Sequence, residues 1–272
     1  MKHGCLTCGE LDFHYLNTAP LALCKNCGHL QRMEFPQESE LKEYYQSKQY
    51  YIDHNNPIPS TLFASSYVRG HKILRFALLP DNHGIKTVTD LGCGHGGTVA
   101  LFNDMQYQAS GVDLNQEAIS YARSRGLNCY CADITSELPK ADMFILSHVV
   151  EHLPDPVGTL SRMRLMYPSS YFYIEVPRIT GISSRGFDIR KFYAPVHISY
   201  FTLTTLINLM HVAGFELVKK HLIDTDMCCG LFKVANRNYR YKIKNDWLNV
   251  LAYTSMVELR RRLKIPALYF TR

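Results

Sequence analysis

The stretch Thr87-Val-Thr-Asp-Leu-Gly-Cys-Gly-His-Gly-Gly97 constrains this chain more than any other, because an apolar strand runs straight into a glycine turn that opens a helix. Glycine at 92, 94 and 96 admits backbone conformations that a Cβ forbids and lets a ligand lie against bare peptide. A second strand, Ala109-Ser-Gly-Val-Asp113, ends on a carboxylate where a doubly wound sheet holds a ribose diol. Together they predict a nucleotide-bearing ligand at the carboxyl ends of parallel strands.

Periodicity and breakers extend this into an α/β series. Strands are expected near 87–91, 109–113, 127–131, 141–147 and 170–176, alternating with helices near 97–105, 115–125 and 155–166. A helix near 202–213 and strands near 215–222 and 228–235 would complete a Rossmann-like seven-stranded sheet whose last hairpin is antiparallel. Further helices are expected at 38–45 and 60–79. The connection 178–200 is long for its place, and such loops cover ligands, so it is expected to cap a substrate.

Asp90, just ahead of the first glycine, decides what kind of nucleotide fits. A carboxylate there would repel the pyrophosphate of a dinucleotide, yet it suits a cationic ligand end, directly or through water. The run Asp90-Leu-Gly-Cys-Gly-His-Gly96 resembles the first motif of class I S-adenosylmethionine-dependent methyltransferases. Asp113 resembles their ribose-binding acid, Cys131-Ala-Asp-Ile134 the strand end that meets adenine, and Asp142-Met-Phe-Ile-Leu-Ser147 their fourth strand. The resemblance implies S-adenosylmethionine held by Asp90, Gly92, Gly94, Gly96, Asp113, Leu114, Asp133, Ile134, Ser147 and His148.

Cysteine usage adds a second module. Cys5-Leu-Thr-Cys8 and Cys24-Lys-Asn-Cys27, 15 residues apart and each followed by glycine, have the spacing of a structural Cys₄ zinc ribbon. A redox dithiol would need a thioredoxin-like context that is absent here. A ribbon this short is expected to have almost no core, so that the metal supplies most of its folding free energy. The other five cysteines, Cys93, Cys129, Cys131, Cys228 and Cys229, fall on predicted strands or the glycine turn and are expected to be buried.

The expected organisation is therefore a zinc ribbon at 1–36, a helical linker and lid at 37–84, the S-adenosylmethionine-binding domain at 85–236 with the cap at 178–200, and a basic helical tail at 237–272. The chain opens without a signal-peptide core and contains no apolar run of the ~20 residues a membrane span needs, so a cytoplasmic enzyme is expected.

The ribbon with Tyr44, Tyr45, Tyr50 and Tyr51 behind it, and the later run Tyr173-Ile-Glu-Val-Pro177 with His197-Ile-Ser-Tyr-Phe201, resemble bacterial methyltransferases of sugar and polysaccharide pathways. C-methylating members place tyrosine and glutamate just before the histidine matching His197; here Ala194 and Val196 stand there, and Tyr193 is only a neighbour. O-methylation of a sugar, a nucleotide-sugar or a related small hydroxylated metabolite is thus the leading expectation, ahead of sugar C-methylation.

Proton removal falls to His152 or His197, with Glu151 and Tyr193 beside them and Tyr200 in reserve. The cluster His148, Glu151, His152 and His197 also resembles the Glu/His set with which small-RNA 2′-O-methyltransferases hold a divalent ion, which would make it a Mg²⁺ or Mn²⁺ site. Charge bears on nucleic acid as an acceptor. Residues 237–272 hold nine of the basic side chains against Asp246 and Glu258, which is +7 of a net +6 and leaves about −1 elsewhere. A ribbon that balances its charges is a poor phosphate grip, so RNA is the runner-up acceptor, and the basic tail stands as a solvated helix, a homodimer arm or a contact to an anionic surface.

Overall fold

A computed structural model describes residues 3–16, 19–47, 58–81, 83–179, 196–221, 226–236 and 238–263. Tyr193, Ala194 and most of the expected cap lie outside them, as do Tyr50 and Tyr51.

The sheet domain follows the predicted alternation closely. Strands β4 (Thr87–Leu91), β5 (Gln108–Asp113), β6 (Cys129–Cys131), β7 (Met143–Ser147) and β8 (Tyr171–Pro177) are parallel, and β10 (Phe215–His221) and β11 (Met227–Val234) close the edge antiparallel. The spatial order is β10-β11-β8-β7-β4-β5-β6. Chain direction through the sheet reverses beside β4, and the crevice above such a switch point is where ligands settle. Both faces are covered, so the central strands read as unbroken apolar runs. Along β7, Phe144 and Leu146 pack into one core with Phe172, Leu206 and Phe215, while Met143 and Ile145 pack into the other with Ile73, Phe102 and Tyr173.

The helices are α1 (Glu38–Gln46), α2 (Pro59–Leu78), α3 (Gly97–Asp104), α4 (Gln116–Ser124), α5 (Pro156–Met166), α6 (Leu203–Val212) and α7 (Trp247–Arg262). Their starts are capped by local chemistry: Asn115 accepts from the Ala118 amide, Asp155 from Gly158, and Thr202 from Thr205.

The N-terminal ribbon consists of β1 (Phe13–Tyr15), β2 (Leu21–Cys24) and β3 (Leu30–Arg32), and its sheet gains a fourth strand, β9 (Ser199–Tyr200), from the far end of the cap connection. Helix α7 lies on β2. Leu21, Leu23 and Leu30 share a core with Ile179, Tyr200, Val250 and Val257. The expectation of a ribbon almost without a core is corrected here: its apolar residues pack on segments more than 140 positions downstream, which no local pattern announces. Cys131 also departs from expectation, since it is exposed at the sheet edge while Cys93, Cys129, Cys228 and Cys229 are buried.

Candidate active site

The cofactor half is built at the carboxyl end of β4. Gly96 adopts φ 84° as the first residue of the α3 cap, a left-handed conformation that favours glycine. At Gly94, φ is 52° and an added Cβ would meet nothing within 4 Å, so the turn is open at this position. From the end of β5 the Asp113 carboxylate accepts hydrogen bonds from the Gly94 amide at 2.8 Å and the Asn115 amide at 2.8 Å. Burial raises its pKa, and those backbone donors work against the rise.

Asp90 is 5% exposed, and burial pushes its carboxyl up to about 7 against the opposing charge of Arg69 from α2. Arg69 also reaches Glu175, at 3.8 Å. Glu175 is buried on β8 and accepts from the hydroxyls of Ser147 at 2.9 Å and Tyr173 at 2.7 Å, so Ser147 is engaged with its neighbour strand. Past β6, Asp133 bonds the Thr135 amide and pairs with Lys42 of α1 at 2.7 Å. Leu114 and Ile134 are half-buried next to Asp113 and Asp133.

The second half lies past β7. His148 takes φ 59°, its amide donating to Glu175 O, and a single 3₁₀ turn, Val150–His152, follows. Glu151 is fully buried, and among the described residues neither carboxylate oxygen has a hydrogen-bond partner; the Nδ1 of His148 is 3.4 Å from Oε1 and the Nε2 of His152 is 3.8 Å away. Burial alone would raise its pKa. The contact from His148 and the charges of His152 and His197 outweigh burial and bring it to about 2.

Nδ1 of His152 sits 3.1 Å from the Val196 carbonyl and 2.8 Å from the Tyr45 hydroxyl. The rings of His152 and His197 meet edge to face at 4.7 Å, and Tyr45 meets His152 in the same manner at 5.8 Å. Glu151, His152 and His197 offer ligand atoms all within 4.8 Å of one another, a grouping that does not include His148.

In the ribbon, the Sγ atoms of Cys5 and Cys27 are 3.5 Å apart and those of Cys8 and Cys24 are 3.6 Å apart. A tetrahedral zinc with Zn–S bonds of about 2.3 Å sets its sulfurs roughly 3.8 Å apart, so the four side chains are already gathered at metal-binding distance. Gly9 and Gly28 bond back to the carbonyls of Cys5 and Cys24, closing both knuckles.

Residues 63–220, more than half of the chain, match the family model described as a methyltransferase domain. The chain belongs to that family. It is 27% identical over 146 residues to the C-methyltransferase NovU of Streptomyces niveus, an alignment that covers 50% of this chain and 34% of that protein. The chain thus spans about a third of the length of the curated relative it matches. The 1,6-didemethyltoxoflavin-N1-methyltransferase of Burkholderia thailandensis, crystallised with 1,6-didemethyltoxoflavin and S-adenosylhomocysteine bound, superposes with a TM-score of 0.56 at 19% identity, covering 83% of this chain and all of that one. Human N-acetylserotonin methyltransferase in complex with S-adenosylmethionine gives 0.57 at 18% identity, covering 74% of this chain and 60% of that one. By family this is a methyltransferase-domain chain, and its fold is the one these two structures share.

Of the residues singled out in the sequence, Gly94 and Asp113 are joined by a hydrogen bond close to buried Asp90, and Glu151, His152 and His197 are gathered in a second cluster. Three residues that make these contacts were given no site role by the sequence: Arg69, and Tyr45 and Glu175, which stood there only within the runs that carry the resemblance. Each is an ordinary helix or strand residue by local pattern, although a buried acid on a central strand is a signal for Glu175.

Proposed function

We propose that this methyltransferase O-methylates a sugar, a nucleotide-sugar or a related small hydroxylated metabolite, with the histidine pair removing the acceptor's proton. The observation that carries this reading is the meeting of Tyr45 and His197 on His152, three residues past Val149, whose side chain lies where a Cβ on Gly92 of the glycine turn would stand. S-adenosylmethionine, when bound, supplies an electrophilic methyl group on a sulfonium. The residues present fit it: an open glycine turn, Asp113 for the ribose diol, Asp133 and Ile134 beside adenine, and buried Asp90 for the cationic methionine end, directly or through water.

The chain's own task is then to hold a hydroxyl in line and take its proton. The Val196 carbonyl can only accept, so it favours the His152 tautomer with the proton on Nδ1 and a lone pair on Nε2. A proton arriving at Nε2 lands beside ionised Glu151, whose charge stabilises the imidazolium.

Two further readings each rest on one observation. The likeness to a C-methyltransferase favours a carbon acceptor, for which the same pair would have to form a carbanion. The buried oxygens of Glu151, without a hydrogen-bond partner among the described residues, favour a Mg²⁺ or Mn²⁺ ion held with His152 and His197, which would chelate a vicinal diol. In the ribbon, Cys5, Cys8, Cys24 and Cys27 are read as holding a structural zinc. The nine free cysteines suit the reducing cytoplasm.

The test is to offer the protein S-adenosylmethionine carrying a ¹³C methyl group with a panel of nucleotide-sugars and free sugars, and separately with RNA oligomers. A labelled O-methyl carbon on a sugar is expected. Label on a sugar carbon would select C-methylation, and label on RNA alone would overturn the reading. For the cofactor, Asp113→Ala should weaken S-adenosylmethionine binding by about 2–3 kcal/mol in calorimetry.

A further inference from the structure

The ribbon reaches the histidine pair through an unbroken series of hydrogen bonds. Its knuckles are tied to β3: the amide of Leu6 donates to the Gln31 side chain at 2.8 Å, the Gln31 amide group donates to Gly4 O at 3.3 Å, and Cys24 N donates to His29 O at 2.9 Å. Strand β3 then pairs antiparallel with β9, Leu30 opposite Tyr200 and Gln31 opposite Ser199. The Arg32 amide donates to Ile198 O, and the Ile198 amide donates to Glu151 O at 2.8 Å. Beside this ladder, buried His29 places Nε2 3.2 Å from the Ser199 hydroxyl and its ring 5.1 Å from Phe201. The segment so gripped begins with the Val196 carbonyl that meets His152 and with His197 itself.

A two-residue strand and a three-residue strand do not hold a register unaided. What sets them is the ribbon behind β3. We propose that the ribbon is a positioning clamp on the acceptor half of the site: the metal held by the four cysteines locks β3, β3 and His29 lock β9, and β9 sets His197 and the Val196 carbonyl against His152. The cofactor half, built on β4 and β5, stands apart from the clamp. His29 is a positioning residue. This inference rests on the zinc reading of the cysteines and on the histidine reading of the acceptor site, and it adds the link between them.

The experiment uses the full chain, with zinc content measured first by elemental analysis. Zinc is then removed with a chelator under reducing conditions, and amide hydrogen exchange is followed by mass spectrometry together with S-adenosylhomocysteine affinity. Exchange across 196–201 should accelerate on the order of tenfold or more, while S-adenosylhomocysteine affinity changes less than about twofold.

In zinc-loaded protein, His29→Phe should accelerate the same segment, and His29→Gln, whose side-chain amide keeps a donor for Ser199, should restore slow exchange. Unchanged exchange after proven zinc loss overturns the proposal. So does equal loss of cofactor binding, which would make the ribbon a general prop of the fold. A chain that purifies without zinc overturns the metal reading and this proposal with it, whereas methyl transfer that survives substitution of both histidines rejects the histidine reading without altering the exchange result.

Discussion

The Tyr45 hydroxyl lies 2.8 Å from Nδ1 of His152, although 107 positions separate the two residues. Helix α1 makes this contact while Lys42 pairs with Asp133 and the Asn115 side chain donates to Tyr45 O. One short helix therefore touches His152, Asp133 and Asn115 alike.

Tyr45→Phe removes the hydroxyl and little else, because the ring keeps its edge contact with His152. Loss of one hydrogen bond to a group that becomes charged is worth about 1.5–3 kcal/mol, so turnover should fall roughly 10- to 100-fold with S-adenosylhomocysteine affinity unchanged. Steady-state kinetics with any acceptor the wild type methylates, and calorimetry for the cofactor product, measure the two. Full activity in the variant would mean that the contact orients nothing of consequence.

His152→Gln and His197→Gln distinguish a proton acceptor from a metal ligand. For a general base, each variant should lose roughly 10²- to 10⁴-fold in turnover, and the wild-type rate should be indifferent to added Mg²⁺ or Mn²⁺. A rate that needs either ion, and that Glu151→Gln also destroys, would transfer the site to the metal reading.

Cofactor binding should depend on pH through Asp90. Its carboxyl titrates near 7 when buried against an ordinary value of 3.8, so between those values the folded chain holds an extra proton and its stability falls as pH rises. A cationic ligand end wants the ionised form, so S-adenosylhomocysteine affinity should move the other way, weakening from about pH 8 to about pH 6. Calorimetry at the two pH values, repeated on Asp90→Asn, checks this; a variant that keeps the same pH dependence would assign it to another group.

Gly28→Ala should loosen the ribbon from α7. Gly28 sits at φ 77°, and a Cβ there would stand 2.6 Å from the backbone of Asp246 and Trp247. Left-handed strain plus this overlap should lower stability by about 1–3 kcal/mol. Thermal unfolding of the apo protein would show it, and an unshifted transition would place Asp246 and Trp247 elsewhere.

The sheet domain was legible from the chain alone because its evidence is local. Apolar runs of strand length from β4 to β8 are punctuated by one glycine turn and by capped helix starts at Asn115 and Asp155, and each such part declares itself within about ten residues. Asp90, Asp113 and the histidines stand at strand ends, where the same local logic places ligands. The chain alone also announced the four cysteines by spacing.

Tertiary structure decided what those parts touch. Strands β1, β3 and β9 hold two or three residues each, too short for a period to register, and β9 joins the ribbon sheet only because folding brings Ser199 to Gln31. Tyr45 is one tyrosine of 18 until α1 docks over Asn115. Arg69 is one basic helix residue until α2 turns it toward Asp90 and Glu175. Local pattern specifies backbone conformation, because neighbours in sequence govern torsion and amphipathic facing. Contacts between residues a hundred positions apart depend on how whole elements pack, and here that packing brought Tyr45, His197 and the Val196 carbonyl onto His152.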